Sequence, residues 1–221
     1  DSTSFVFTDP AAISAAAPAF SVGTAYTAEF FFRPVSTANT VQQLVQAGDN
    51  MSLSLLADDP DTYSLRLTVD ENTVDGGSFS ADSGWHHLAV TSDPAGLLRV
   101  WLDGHLELEY AGVVTGSGIV FNTQDGSEAF LGSLDEARIS AMIRYAAGFV
   151  PPQDLAADAT TLALWKFNEG SADADLPAVY DISGHGSHGL IIGPDGWGPD
   201  PSWLAADQSA FVINEMMPNP S

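Results

Sequence analysis

Short runs in which apolar and polar residues alternate are the main pattern along this chain. A period of two predicts β-strands, because successive side chains of a strand point to opposite faces of a sheet. The runs lie at 26–35, 51–57, 63–69, 85–92, 97–110, 127–140, 161–170 and 189–193. Helix-period patterns are nearly absent. So many short strands without alternating helices predict an all-β fold, an antiparallel β-sandwich of the jelly-roll type.

Turn residues separate these runs. Asp103-Gly104 lies between two alternating runs, which is a strong signal of a two-residue β-hairpin turn. The segment 58–61, DDPD, reads as a proline turn flanked by acids. Pro151-Pro152 marks a loop, and the segment 151–162 has room for one helical turn.

The pattern changes near residue 193, and this change suggests the domain boundaries. Residues 1–193 are expected to form one jelly-roll domain. Residues 194–210 are rich in glycine, proline and tryptophan, so a linker or capping segment is expected there. Residues 211–221, FVINEMMPNPS, are expected to be the first strand of a following domain.

Charge is the most unusual feature of the composition. The chain carries 29 acidic and 6 basic residues, a formal net charge of −23. Such a charge repels phosphate backbones and anionic membrane surfaces, so nucleic acid is not expected as a partner. It suits divalent cations, a salty environment or a solvated acidic surface. No apolar run is long enough for membrane insertion, and the absence of cysteine removes disulfides and thiol chemistry.

Four segments together resemble the laminin-G-like, concanavalin A-type jelly-roll family that also includes the pentraxins. They are AEFFFRP, GWHHLAVTSDPAGLLRVWLDGHLE (84–107), FLGSLDEARISAMIRYAAGFVPP (130–152) and LALWKFNEG…VYDISGHGSHG (162–189). The resemblance implies the concanavalin A-like lectin/glucanase type of sandwich. In many relatives the Trp-x-Phe-x-Glu block opens the domain, whereas here it comes near the end. Separately, residues 211–221 resemble the first strand of a lamin-tail-like domain.

Catalytic motifs are not found. The chain has no Gly-x-Ser-x-Gly and no His-Glu-x-x-His, and it lacks the Glu-x-Asp-x-x-Glu spacing of retaining glycoside hydrolases of this shape. Asp135 and Glu136 are adjacent, so a regular strand sends them to opposite faces. We expect this pair to anchor a loop and to form a salt bridge with Arg138. The chain is therefore not expected to be an enzyme.

Calcium is the metal ion that the resemblance suggests. Asp49 and Asn50 precede a strand and resemble the Asp-Asn pair that opens the pentraxin calcium site. In that comparison Gln124 and Asp125 supply further oxygen ligands from a loop, and calcium is bound by such oxygens. The alternative is that both pairs are ordinary turn formers.

The stretch YDISGHGSHGLI (180–191) offers a second candidate site. Asp181 is a potential calcium ligand, and His185 and His188 have the spacing of a metal-binding pair. Zinc needs further nitrogen or sulfur ligands, and histidine suits calcium poorly. A structural loop is the favoured interpretation.

Tryptophan residues are the candidates for stacking on sugar rings. Trp101 has the opposite parity from Val100 and is expected to be partly exposed, while Trp197 and Trp203 lie in loops rich in glycine and proline. Packing in the core or capping of the linker is the alternative for each.

The function that the resemblance implies is non-enzymatic binding or adhesion by a secreted or cell-surface module. Its ligand is expected to be an extracellular glycan or a surface protein, with calcium as a possible structural ion. The second hypothesis is an architectural domain that self-associates in a cell-surface protein or filament. The third is an accessory domain of an exported glycoside hydrolase.

Overall fold

The structure, a computed structural model, describes residues 3–7, 12–15, 24–35, 39–59, 62–80, 84–123, 127–168, 178–192 and 202–205, with backbone alone for Thr3, Ala178 and 202–205. Within these ranges the chain forms sixteen strands and no helix. They are β1 (Thr3–Phe7), β2 (Ala12–Ala15), β3 (Tyr26–Pro34), β4 (Val41–Ala47), β5 (Met51–Asp59), β6 (Thr62–Val69), β7 (Asn72–Ser80), β8 (His86–Ser92), β9 (Leu97–Leu102), β10 (His105–Ala111), β11 (Ile119–Phe121), β12 (Gly132–Ser140), β13 (Thr161–Trp165), β14 (Ala178–Val179), β15 (Gly189–Ile192) and β16 (Ser202–Ala205).

The strands form two antiparallel sheets of eight strands each. Sheet 1 has the order β10-β9-β8-β3-β12-β1-β16, and β13 pairs with the second half of β12. Sheet 2 has the order β14-β15-β2-β11-β4-β5-β6-β7. The prediction of an all-β antiparallel sandwich is confirmed. The segment 202–205 pairs with β1, and residues 211–221 lie outside the described residues.

The core lies between the two sheets and is built from the apolar positions of the alternating runs. Phe30 and Phe32 of β3 and Leu53 of β5 are at most 2% exposed. The rings of Phe30 in sheet 1 and Phe121 in sheet 2 lie 5.6 Å apart and join the sheets. Each such fully buried side chain contributes about 1.5–3 kcal/mol by leaving water.

A long connection, residues 141–160, covers part of the outer face of sheet 1. Leu155 in this connection is fully buried, and the Ala156 carbonyl accepts a hydrogen bond from Arg138 of β12. The helical turn expected within 151–162 does not form, and the Leu155 N–H donates instead to the Glu136 side chain of β12. In the described ranges, no helix is long and apolar enough to cross a membrane.

Candidate binding surface

Trp101 lies on the outer face of sheet 1, and the prediction that it is partly exposed is wrong. The side chain is 2% exposed, its ring lies 5.9 Å from that of Phe149, and its Nε1 donates to Thr91 Oγ1 at 3.1 Å. The alternation in β9 predicts this face correctly, but the 141–160 connection packs over it. Trp101 therefore has no open ring face on which a sugar can stack.

Beneath the same connection lies a buried ionic network centred on Glu29 of β3. The carboxylate accepts hydrogen bonds from Arg138 at 2.9 and 2.7 Å and from the Tyr145 hydroxyl at 2.7 Å. His87 Nε2 lies 3.1 Å away. Burial alone raises the pKa of Glu29, but the bonds from His87 and Tyr145 and the Arg138 charge outweigh it and lower the pKa below 4.5. This network attaches the connection to sheet 1.

The outer face of sheet 2 is polar, and the strand register places its side chains in rows. Gln46, Ser52 and Thr68 are neighbours across β4, β5 and β6. In the next row Arg66 of β6 donates two bonds to Asp75 of β7, at 2.7 and 2.9 Å. Ser52, Arg66 and Thr68 are polar members of the alternating runs at 51–57 and 63–69, whereas Gln46 and Asp75 lie outside those runs.

A cleft of about 530 Å³ lies where this polar face meets the turns at one end of the sandwich. Its lining residues are Gln46, Gly48, Asp49, Asn50, Met51, Ser52, Thr68, Asp70 and Glu71. Side-chain amides, hydroxyls and carboxylates therefore dominate the lining, and no aromatic residue contributes. The cleft is suited to hydrogen bonding with hydroxyl-rich ligands.

Asn50 ties together the turns that form this end of the cleft. Its Nδ2 donates to the Val113 carbonyl and to Asp70 Oδ1, both at 3.0 Å, and its Oδ1 accepts from the Thr115 N–H at 2.9 Å. Asp49 is exposed, and its N–H donates to the Thr115 carbonyl at 2.7 Å. Asp49, through its backbone, and Asn50, through its side chain, thus both bond to Thr115 at this end of the cleft.

Gln124 and Asp125, which the resemblance adds to this pair, lie outside the described residues. The described residues on either side of them bond to the middle of β4. The Asn122 N–H donates to the Leu44 carbonyl, and the Gln43 N–H donates to the Glu128 carbonyl. The role of Gln124 and Asp125 as calcium ligands stays a prediction.

Asp181 holds its own loop. Its carboxylate accepts four hydrogen bonds, from the Leu164, Ser183 and Ser187 N–H groups and the Ser183 hydroxyl, at 2.8–3.0 Å. Burial raises its pKa, but these bonds outweigh that effect and lower the pKa below its ordinary value. These four bonds make Asp181 an anchor of its own loop, and its role as a calcium ligand stays a prediction.

The two histidines of this loop are used differently. His188 Nδ1 accepts a hydrogen bond from the Asp181 N–H at 3.0 Å, and its ring contacts Tyr180. His185 is exposed, with Nδ1 3.1 Å from Ser183 Oγ. Across the described part of the chain, no three histidine, aspartate or glutamate side chains are grouped so as to hold a metal ion.

Asp135 and Glu136 lie at a β-bulge of β12, not in regular strand. Glu136 has a φ of 41°, pairs with Lys166 at 2.8 Å and accepts a bond from the Leu155 N–H, so it anchors the 141–160 connection. The expected salt bridge to Arg138 is wrong, since Arg138 pairs with Glu29. Burial, followed by the neighbouring Glu136 charge, raises the pKa of Asp135 to about 8.

The remaining tryptophan candidates cannot be placed as ligand contacts. Trp197 lies outside the described residues. For Trp203 only the backbone is described, in β16 opposite Phe5 of β1.

Comparison with known proteins places the chain in a family. Residues 8–147 match the laminin-G type of the concanavalin A-like lectin/glucanases superfamily, and the chain belongs to this superfamily. The superfamily joins lectins to glucanases, so membership alone does not decide between binding and catalysis. A search of curated protein sequences finds no match.

Two solved structures illustrate the similarity of fold. A candidate carbohydrate-binding protein from Bacteroides ovatus ATCC 8483 is 16% identical, with a TM-score of 0.66 over 96% of this chain and 62% of that protein. A heptameric SAP-like pentraxin from Limulus polyphemus is 13% identical, with a TM-score of 0.51 over 64% of this chain and 76% of that one. The chain thus spans less than two thirds of the Bacteroides protein.

Proposed function

We propose that this chain is a non-enzymatic module of an exported or cell-surface protein, and that it binds a glycan in the cleft on sheet 2. The observation that carries the proposal is the cleft of about 530 Å³ with its polar lining. The name of the Bacteroides structure, a candidate carbohydrate-binding protein, supports the same class of ligand.

The lining predicts how the ligand is held. Gln46 is exposed at one end of the row that it forms with Ser52 and Thr68, so amide and hydroxyl groups face the ligand together. Each hydrogen bond contributes about 0.5–1.5 kcal/mol net. Because no aromatic residue of the cleft offers a stacking surface, we expect dissociation constants of about 10 µM to 1 mM.

The negative charge of the cleft limits the class of glycan that can bind there. Asp49, Asp70 and Glu71 line the cleft, and no basic residue does. The basic residues of the chain are committed elsewhere, in ion pairs for Arg66, Arg99, Arg138, Arg144 and Lys166 and over the Trp85 ring for Arg33. Glycans with carboxylate or sulfate groups are repelled, and neutral glycans are the expected ligands.

A glycan panel followed by titration calorimetry tests the proposal. Gln46→Ala is expected to weaken binding of the selected glycan about tenfold, which corresponds to about 1.4 kcal/mol. The matched control is Gln153→Ala, an exposed glutamine in the connection over sheet 1, which leaves affinity unchanged. Equal losses for both variants, or no binding by the panel, contradict the proposal. Release of cleaved products from the bound glycan contradicts the non-enzymatic part.

A further inference from the structure

The hydrogen bonds of Asn50 require an amide at that position. Two of its partners, the Val113 carbonyl and Asp70 Oδ1, are acceptors, and the third, the Thr115 N–H, is a donor. Only a group with both an NH₂ and a carbonyl oxygen satisfies all three. A carboxylate here would place an oxygen against two other oxygens.

The turn that Asn50 contacts has an uncommon backbone. Asp70 and Glu71, which connect β6 to β7, have φ values of 48° and 67°, a region that residues other than glycine seldom adopt. The Asp70 N–H donates to the Asn50 carbonyl at 3.1 Å, and the Asp70 carboxylate accepts from Asn50 Nδ2. Asn50 therefore holds this turn through both its main chain and its side chain.

We infer that the Asn50 amide performs at this end of the sandwich the task for which related folds use calcium, and that these turns are held without a metal ion. Across the described residues, no three histidine, aspartate or glutamate side chains are grouped so as to hold a metal ion. The amide joins the three turns directly. If Asn50 Nδ2 were replaced by an oxygen, that oxygen would lie beside Asp70 Oδ1 and the Val113 carbonyl oxygen, and all three could serve as calcium ligands.

The geometry specifies what Asn50→Asp creates. The new oxygen lies at the Nδ2 position, 3.0 Å from both Asp70 Oδ1 and the Val113 carbonyl oxygen. Oxygens 3.0 Å apart can both lie about 2.4 Å from one calcium ion, with about 77° between the bonds, close to the angle of about 72° in a pentagonal bipyramid. The variant therefore has repelling oxygens without calcium and a partial calcium site with it.

Thermal melts of the whole chain in millimolar calcium and in EGTA test this inference. We expect the wild type to melt at the same temperature in both buffers. Asn50→Asp is expected to melt about 5 °C lower in EGTA and to recover most of this loss in calcium. Asn50→Ala loses both bonds from Nδ2 and also the bond from the Thr115 N–H, and it adds no oxygen, so it melts lower in both buffers.

The double variant Asn50→Asp with Asp70→Asn identifies the site. It removes one ligand of the created set, so calcium should no longer restore its melting temperature. If calcium stabilises the wild type and Asn50→Ala abolishes this effect, the inference is overturned, because Asn50 then binds the ion. Stabilisation that Asn50→Ala leaves intact supports it, since that ion binds elsewhere. If calcium does not stabilise Asn50→Asp, or if this variant folds in neither buffer, the created calcium site is contradicted.

Discussion

Replacement of Glu29 by glutamine tests the buried network that fastens the 141–160 connection to sheet 1. The Glu29 side chain is fully buried, and that of Arg138, which bonds to it twice, is 8% exposed. The variant keeps the shape of the side chain but removes its charge. Arg138 is then left buried without a carboxylate partner. Both oxygens of Glu29 accept hydrogen bonds, so the NH₂ group of the new amide faces a hydrogen-bond donor whichever way the amide is oriented.

The magnitude follows from this burial. Loss of one partner of a buried ion pair costs about 3–5 kcal/mol, because the remaining charge is uncompensated. For a chain of this size each kcal/mol lowers the melting temperature by about 2–4 °C, so Glu29→Gln should lower it by about 6–20 °C. The matched control is Glu109→Gln. Glu109 is 49% exposed and lies 2.9 Å from Arg99, and such a surface pair contributes at most about 1 kcal/mol.

Urea unfolding near neutral pH and again near about pH 3 is the assay. Because the pKa of Glu29 is lowered in the folded chain, its contribution is present above about 4.5 and is lost as the pH falls through the folded value. The difference between wild type and Glu29→Gln should therefore shrink in acid. A loss near neutral pH no greater than that of Glu109→Gln would refute the reasoning.

Three further substitutions give independent tests. Asp135 has a folded pKa of about 8, above its ordinary 3.8, so it costs the wild type stability as the pH rises between these values; Asp135→Asn should raise the melting temperature near about pH 8 but not near about pH 4, and equal effects would contradict this. Asp181→Ala removes the acceptor of four hydrogen bonds, one buried and three part-buried, and should cost about 3 kcal/mol in urea unfolding; a cost below about 1 kcal/mol speaks against a loop anchor. Gly104→Ala should cost about 2 kcal/mol or more, because Gly104 has a φ of 80° and a Cβ there would meet the Phe149 carbonyl. In the matched control Gly184→Ala, with a φ of 92° and no atom within 4 Å of the added Cβ, calorimetry should show about half that loss.

Local signals were sufficient to predict nine of the sixteen strands of the described residues, and one of the turns. Asp103 and Gly104 have φ values of 50° and 80°, the left-handed pair that the hairpin between β9 and β10 requires. The alternation in β3 placed Phe30 and Phe32 on one face, and both are buried. These features depend on residues that are close in sequence, so a pattern of period two records them.

The candidate site could be predicted only in part, because its contacts join distant segments. Asp49 and Asn50 were recognised as a polar pair before a strand. The partners that define the role of Asn50 are Val113 and Thr115, more than 60 positions away. No local pattern specifies such a pairing. Trp101 shows the same limit, since the alternation gave its face correctly but not the connection that covers it.

The outer faces of the two sheets differ in a way that determines where a ligand can bind. Sheet 1 places Trp101 and the charged Glu29 on its outer face, and both would be costly there without the 141–160 connection, one as exposed apolar surface and the other as an unpaired charge. Sheet 2 places Gln46, Ser52 and Thr68 outward, and water satisfies such groups without a cover. The connection is needed on one face only. The other is thereby left available for a polar ligand, and the same alternation that builds the core supplies the groups that would bind it.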